Sequence, residues 1–301
     1  MNASNGGRPQ PRVSIGLPVF NGERYLSEAL SSLLAQDYTD FELVIGDNGS
    51  TDATEEICRA AVAGDPRVRY LRSDVNHGAA WNYNRVFNAS TGGYFRWACY
   101  DDLVAPAHLG RCVDVLDAAG PEVVVAFTQT TLIDEHGHPV GDYDEDFDAS
   151  DPRTHVRVAR IVRHLVLSNV LFGLVRREVM QKTQLHGAYP TADWALILEW
   201  AMQGSFVQVP ERLFFRRLHP GMSRAANLDS RSVAEWFQPG SGAKVRPEFL
   251  RLFIEQTKAI GRAPVGVGTR MRTGAVFVPV YLWRHRRALV RETKAISVRR
   301  S

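Results

Sequence analysis

Cysteine is scarce in this chain, with three among 301 residues: Cys58, Cys99 and Cys112. The number is odd and no pair stands at metal-ligand or redox spacing. That argues against a disulfide framework or a thiolate zinc site and favours reduced, buried thiols of a cytoplasmic protein. Long apolar runs are missing too. The best, Ala275–Trp283, falls well short of the ~18 residues that a membrane span needs. The opening MNASNGGRPQPR has no apolar h-region, so no signal peptide is expected, and residues 1–10 read as a disordered terminus. A large excess of charge is also absent. Lys+Arg 36 against Asp+Glu 33 leaves +3, too little to point to nucleic acid. No Gly-x-Gly-x-x-Gly turn follows the first apolar run, where GLPVFNG stands instead, which weakens a nicotinamide-dependent oxidoreductase. A Gly-rich loop with Arg and Lys is missing from the same place, which weakens a sugar-1-phosphate nucleotidyltransferase.

What is present is an ordinary globular composition, 45% hydrophobic and 10% aromatic, enough to bury a core. Periodicity predicts strands at 12–17, 41–46, 68–72, 94–100 and 122–133. Helices are expected at 23–35, 53–63, 79–89 and from near Pro106 to Ala119. Asp52 and Glu55 are spaced as a capping box for the second helix. Such alternation with short links implies an α/β fold with a mostly parallel central sheet flanked by helices. The second half is less regular. Helices are predicted at 155–168 and 191–203, and strands at 170–175, 205–209 and 213–218. A loop is expected over 225–247, and two helices close the chain. Eight acids and no Lys or Arg lie between Asp134 and Asp151, which reads as a solvated loop.

Parallel sheets bind ligands beyond the C-terminal ends of their strands. Three polar clusters fall at such ends: Pro18–Asn21, Asp47–Asp52, and Asp101–Asp102 in WACYDD. The topology brings them to one rim. Adjacent carboxylates repel and raise each other's pKa, so a cation between them is a natural companion. Carboxylate clusters suit Mg²⁺ or Mn²⁺, which take a few carboxylates together with substrate phosphates. An isolated Asp-Asp pair more often caps the following helix; the strand context and the two other clusters favour the metal reading. In DNGSTD, Asn48 and Gly49 form a turn and Asp52 caps a helix. That leaves Asp47 free to accept hydrogen bonds from a base or ribose.

Four stretches in order, LPVFNGERYLSEALSSLLAQDY, DFELVIGDNGSTDAT, NHGAAWNYNRVFNASTGGYFRWACYDD and TADWALILEWAMQGSFVQVPERLFFRRLHPGMS, resemble a bacterial family-2 glycosyltransferase from about Pro11 to Ser223. The resemblance implies a GT-A fold, a nucleotide-diphosphate sugar donor, a divalent metal (Mn²⁺ or Mg²⁺) and inversion at the anomeric carbon. Carried over by position, Pro18, Val19 and Phe20 line the nucleotide pocket and Asp47 holds the base or ribose. Tyr100-Asp101-Asp102 stands as the DxD-type motif. There Asp101 contacts ribose or metal-bound water and Asp102 ligates the metal. Asp193 falls at the catalytic base, with Ala192 in place of the Glu that often precedes it. His219 reaches the metal or the diphosphate. The implied division is 11–134 for the nucleotide-binding half, 135–223 for the acceptor and catalytic half, and 224–301 for a loop and helical extension.

The Gln-x-x-Arg-Trp motif and membrane spans of processive relatives are missing, so addition of a single sugar is expected. The implied acceptor is a glycan or lipid-linked molecule, in bacterial envelope synthesis. LWRHRRALVRETKAISVRR, near the end, mixes apolar and cationic residues at loosely helical spacing. Such a helix can lie on an anionic membrane, extending the cytoplasmic reading to a peripheral contact at the inner face of the cell membrane. Packing of one face in a solvated helix is the competing reading. A catalytically silent sugar-binding module on the same fold is the alternative to an enzyme.

Overall fold

The computed structural model describes residues 10–144, 147–222, 236–237, 239 and 247–298. Strands β1 (Val13–Val19) and β2 (Phe41–Asp47) are buried along their whole length, as central strands covered on both faces must be. Helix α1 (Leu26–Leu34) buries Leu26, Ala29, Leu30 and Leu33, an i, i+3, i+4, i+7 stripe. Next come α2 (Thr54–Gly64), β3 (Val68–Arg72), α3 (Ala79–Ala89) and β4 (Tyr94–Trp97). Glycine lets α3 press onto the sheet. A Cβ on Gly16 would stand 2.8 Å from side-chain atoms of Val86 and Phe95. One on Gly46 would stand 2.6 Å from Asn82 Oδ1 and from Val86 Cγ1. The Asn82 amide in turn donates to the Gly46 carbonyl at 2.6 Å, fastening helix to strand.

The chain then forms β5 (Leu103–Val104), α4 (His108–Ala118), β6 (Val123–Ile133) and β7 (Pro139–Tyr143). After them come α5 (Thr154–His164), β8 (Leu174–Arg176), α6 (Arg177–Met180), α7 (Ala192–Gln203), β9 (Ser205–Arg217), α8 (Glu248–Arg262) and α9 (Val267–Val298). The strands make one sheet in the order β3-β2-β1-β4-β8-β6-β9-β5, with β7 on β6. Pairing is parallel through β3-β2-β1-β4 and again at β6-β9. It is antiparallel at β4-β8, β6-β8, β6-β7 and β5-β9. The first half thus has the expected parallel, helix-covered character, and the antiparallel pairings belong to the second.

Several local expectations change. The strand predicted over 170–175 is a 3-10 turn, Asn169–Phe172, followed by three residues of β8. Its apolar side chains are buried by close packing without a long ladder. The strands predicted at 205–209 and 213–218 are one strand, β9, whose pairing with β6 shifts register between Thr128 and Thr130. The acidic stretch after Asp134 is not all loop: it carries β7, which lies mostly exposed on the edge of β6. The Asp52–Glu55 capping box does not form. Asp52 instead accepts from the N–H groups of Glu23 and Thr54, while Glu23 accepts from Ala53 N–H, so two loops cap each other. Glu55 pairs with Arg59 and Arg72. The loop predicted over 225–247 lies largely outside the described residues, as do residues 1–9.

Helix α7 is buried on most sides, and its Trp200 stacks on Trp97 of β4 with ring centroids 6.5 Å apart. Helices α8 and α9 complete the cover: α8 packs on α7, and α9 packs on α5 and α8. An ion pair of Arg262 with the buried Glu199 ties α8 to α7. Arg284 of α9 donates to the Val162 and Leu165 carbonyls, satisfying the C-terminal end of α5. Among the described residues, no helix is long and apolar enough to cross a membrane.

Candidate active site at the sheet rim

The rim begins where β1 and β2 end side by side, with Val19 opposite Asp47. Val19 C=O accepts from Asn48 N–H at 3.0 Å, so the two loops leave the sheet joined. Asn21 adopts φ 50°, its N–H donates to Ser50 Oγ at 2.9 Å, and its side chain accepts from Thr51 N–H at 2.9 Å. Pro18 and Val19 belong to β1, and Phe20 projects beyond it, 41% exposed.

Asp47 is not the free acceptor expected from sequence. It is fully buried, Oδ1 accepts from Ser50 N–H at 2.9 Å, and Oδ2 accepts from the Tyr70 hydroxyl at 2.6 Å. The tight DNGSTD turn supplies the first donor and the neighbouring β3 the second. Arg72 Nε stands 3.6 Å from Asp47 and 2.7 Å from Glu55, adding a cation to this wall.

Strand β4 stops at Trp97, and Ala98–Asp102 carry the chain across to β5. Tyr100 leans on the first loop, where a Cβ on Gly22 would lie 2.9 Å from its ring. Asp101 Oδ2 stands 2.9 Å from His219 Nε2, and Asp102 Oδ1 accepts from Arg217 N–H at 2.9 Å. A ligand atom from each of Cys99, Asp101 and Asp102 can be chosen so that all lie within 4.8 Å of one another. Burial, and then the charge of Asp101, push the Asp102 carboxyl up to about 7, against the opposing pull of Arg216 and the Arg217 N–H. His219 is not a surface loop residue: it is buried, and its ring packs on Tyr25 at 4.7 Å. Two close carboxylates, one desolvated, with an imidazole at their side make a donor set short of positive charge. These residues fit a hard divalent cation.

Asp193 lies in the first turn of α7, half-buried, and accepts no hydrogen bond among the described residues. It sits in the electrostatic reach of His186, whose own pKa is lowered by burial. His186 packs on Tyr83 at 5.0 Å, and the Tyr83 hydroxyl stands 3.8 Å from Cys99 Sγ. Tyr83 thereby links His186 to Cys99, beside the acid pair. Asn84 holds this link. Its side chain accepts from His186 N–H at 2.9 Å and donates to His186 C=O at 3.0 Å. Of the tryptophans near the rim and α7, which could stack under a sugar, Trp97 is buried and Trp194 packs beside Arg284 and His285. Trp81 is 39% exposed, between His77 and Arg85.

Sequence reasoning missed Tyr70, Arg72, Cys99, His186 and Arg217. A partly buried Tyr or Arg on an edge strand carries no local motif. Arg217 lay inside the quoted FFRRLHPGMS without being singled out.

Residues 14–142 match the family model Glycosyl transferase family 2. Over that stretch, under half of its length, the chain is similar to family-2 glycosyltransferases. An uncharacterized glycosyltransferase of Rickettsia typhi, RT0329, is 34% identical over 128 residues, which are 42% of this chain and 39% of the relative. The chain thus spans well under half the length of that curated relative. Among solved structures, S. aureus TarS in complex with UDP-GlcNAc superposes with a TM-score of 0.65 at 17% identity, over 90% of this chain and 72% of TarS. The mannosyltransferase PcManGT of Pyrobaculum calidifontis, in complex with GDP-Man and Mn²⁺, superposes at 0.54 and 17% identity, over 92% of this chain and 84% of that one. At such identities the likeness establishes the fold, which is that of GT-A glycosyltransferases.

Proposed function

We propose that this glycosyltransferase domain moves a single sugar from a nucleotide-diphosphate sugar to a hydroxyl of a glycan or lipid-linked acceptor, with inversion and with Mn²⁺ or Mg²⁺ bound at the rim. The observation that carries the reading is the meeting of the Asp101 and Asp102 carboxylates within 4.8 Å of each other, with His219 held against Asp101 although those two are 118 residues apart.

In this reading Pro18, Val19 and the exposed Phe20 form the wall against the nucleoside. Asp47 orders that wall through Ser50 and Tyr70, and reaches base or ribose directly only when the Tyr70 hydroxyl gives way. Asp102 and His219 hold the cation, and Asp101 holds His219 and faces the ribose or a metal-bound water. The cation, when bound, stabilises the charge that develops on the departing diphosphate. Asp193, which accepts no hydrogen bond among the described residues, takes the proton of the acceptor hydroxyl as general base.

The outward face of α9 bears on the acceptor. Met271 (71% exposed), Val278, Leu282, Trp283 (56%) and Val290 are interleaved with exposed Arg286, Arg287 and Arg291. The Trp283 ring lies between Arg163 at 5.3 Å and Arg286 at 5.1 Å. An aromatic among cations suits the headgroup level of an anionic bilayer. In the proposal this face rests on the inner leaflet of the cell membrane and meets a lipid-linked acceptor of the envelope there.

A thermal-shift screen of UDP-, GDP- and dTDP-sugars with and without Mn²⁺ tests the donor reading. One donor should raise the melting temperature only with the metal, by mass action. No shift with any donor, or the same shift in chelator, would refute it.

A further inference from the structure

Arg217 ends β9, and its side chain is fully buried. Its contacts run in four directions. The backbone N–H donates to Asp102 Oδ1 at 2.9 Å, and Nε donates to the Asp101 carbonyl at 2.8 Å. Nη1 donates to the Glu135 carbonyl at 3.2 Å, and Nη2 donates to Glu28 Oε2 at 2.7 Å. The guanidinium also lies over Tyr25, 4.7 Å from the centroid of a ring that His219 and Arg24 flank as well. One cation therefore fastens the Ala98–Asp102 crossing, the turn after β6, and α1 to one another. The planar fork of arginine spreads five donors over three nitrogens and so reaches partners on different sides, whereas a lysine carries its three donors on one nitrogen.

The Glu28 end of this arrangement reaches the surface, its side chain 60% exposed while that of Arg217 is fully buried. An ion pair between two exposed groups contributes little. Here one partner is desolvated, so losing Glu28 leaves a buried charge short of its carboxylate.

We infer that Arg217 is the positioning residue of the acid pair, and that Glu28 steadies it from outside. Arg217 sets the Asp101 backbone and the Asp102 carboxylate so that both acids face one point, with His219 held against the same Tyr25 ring. The inference rests on the proposed cation site, because what Arg217 positions is that site's ligands. Partners behind a metal site commonly matter tenfold to a hundredfold in metal affinity, through geometry alone.

The test is direct Mn²⁺ titration of the full chain, read as loss of the free Mn²⁺ signal by electron paramagnetic resonance. It compares the unaltered protein, Asp102→Asn, Arg217→Lys and Glu28→Ala, with metal-free melting curves of each. Asp102→Asn should abolish tight Mn²⁺ binding. Arg217→Lys and Glu28→Ala should each weaken it roughly tenfold while melting remains cooperative. Where Arg217→Lys fails to fold, Glu28→Ala, altered at the surface, decides alone. If Asp102→Asn binds Mn²⁺ like the unaltered protein, the cation site itself is wrong. If Asp102→Asn loses the metal but Glu28→Ala keeps the original affinity, the positioning role is overturned, whatever its melting temperature.

Discussion

His219 Nε2 and Asp101 Oδ2 stand 2.9 Å apart across 118 residues of sequence, joining the end of β9 to the crossing that follows β4. Both side chains are largely buried, so the contact is held in place and not sampled from solvent. Replacing His219 with Ala removes a proposed metal ligand and the anchor of Asp101 together. Transfer should fall at least about tenfold, with a matching loss of Mn²⁺ affinity, because hydrogen-bonded partners of a ligand set its geometry. Steady-state rates against Mn²⁺ concentration read this. An unchanged apparent Mn²⁺ constant would exclude the assignment.

Asp193→Asn keeps the shape of the α7 start and removes only the basic oxygen. Donor binding, by calorimetry in the presence of Mn²⁺, should be unchanged. Sugar transfer should drop by about a hundredfold or more, the usual contribution of a positioned base. Near-normal turnover would mean that another group takes the proton.

Asp102 gives the site a defined pH response. Its carboxyl is raised to about 7 in the folded chain by burial and by Asp101, against ~3.9 for an unperturbed Asp. Between those values the folded state holds a proton that the unfolded state has lost. The metal-free protein should therefore lose stability as pH rises from about 4 to about 7. Mn²⁺ must displace that proton, so its affinity should climb about tenfold per pH unit below 7 and level off above. Melting curves with and without Mn²⁺ from pH 5 to 8 check both signs. Asp102→Asn should flatten both trends.

The face of α9 makes a separate prediction. Trp283→Ala combined with Arg286→Glu and Arg287→Glu should abolish co-sedimentation with vesicles rich in anionic lipid. Turnover of a water-soluble acceptor should remain intact, since none of the three touches the rim. Unaltered vesicle binding would remove the membrane surface from the proposal.

Close approach of α3 to the sheet can be tested with one methyl group. Gly16→Ala places a Cβ 2.8 Å from atoms of Val86 and Phe95, which cannot both retreat in a packed layer. A loss of about 1–3 kcal/mol is expected from such overpacking, measured by urea unfolding at an unchanged m-value.

The first half of the fold was legible because its signals are local. The helix over 79–89 and the strand over 68–72 match the structure residue for residue. The second half was less so because its order comes from long-range pairing. Apolar residues 170–175 read as a strand, yet they are buried mostly as a 3-10 turn. Residues 210–212 fell between two predicted strands, yet β9 runs through them with a shifted register. At the site, the acids were visible as types at strand ends and His219 through a family pattern. What holds them was not. A buried Arg217 has the same letter as a solvated one, and Asp47 looked free because the Tyr70 hydroxyl that occupies it comes from 23 residues away.

The Ala98–Asp102 crossing has one more property. It starts from β4, in the middle of the sheet, and must deliver the chain to β5 on the far side of β8, β6 and β9. Laid flat, four strand spacings of about 4.8 Å would use nearly the whole reach of so short a link at ~3.3 Å per residue. The chain also bends at Tyr100 and Asp101 within this link, so the sheet must curl to bring β5 within reach, and the two carboxylates ride on the segment that spans the curl.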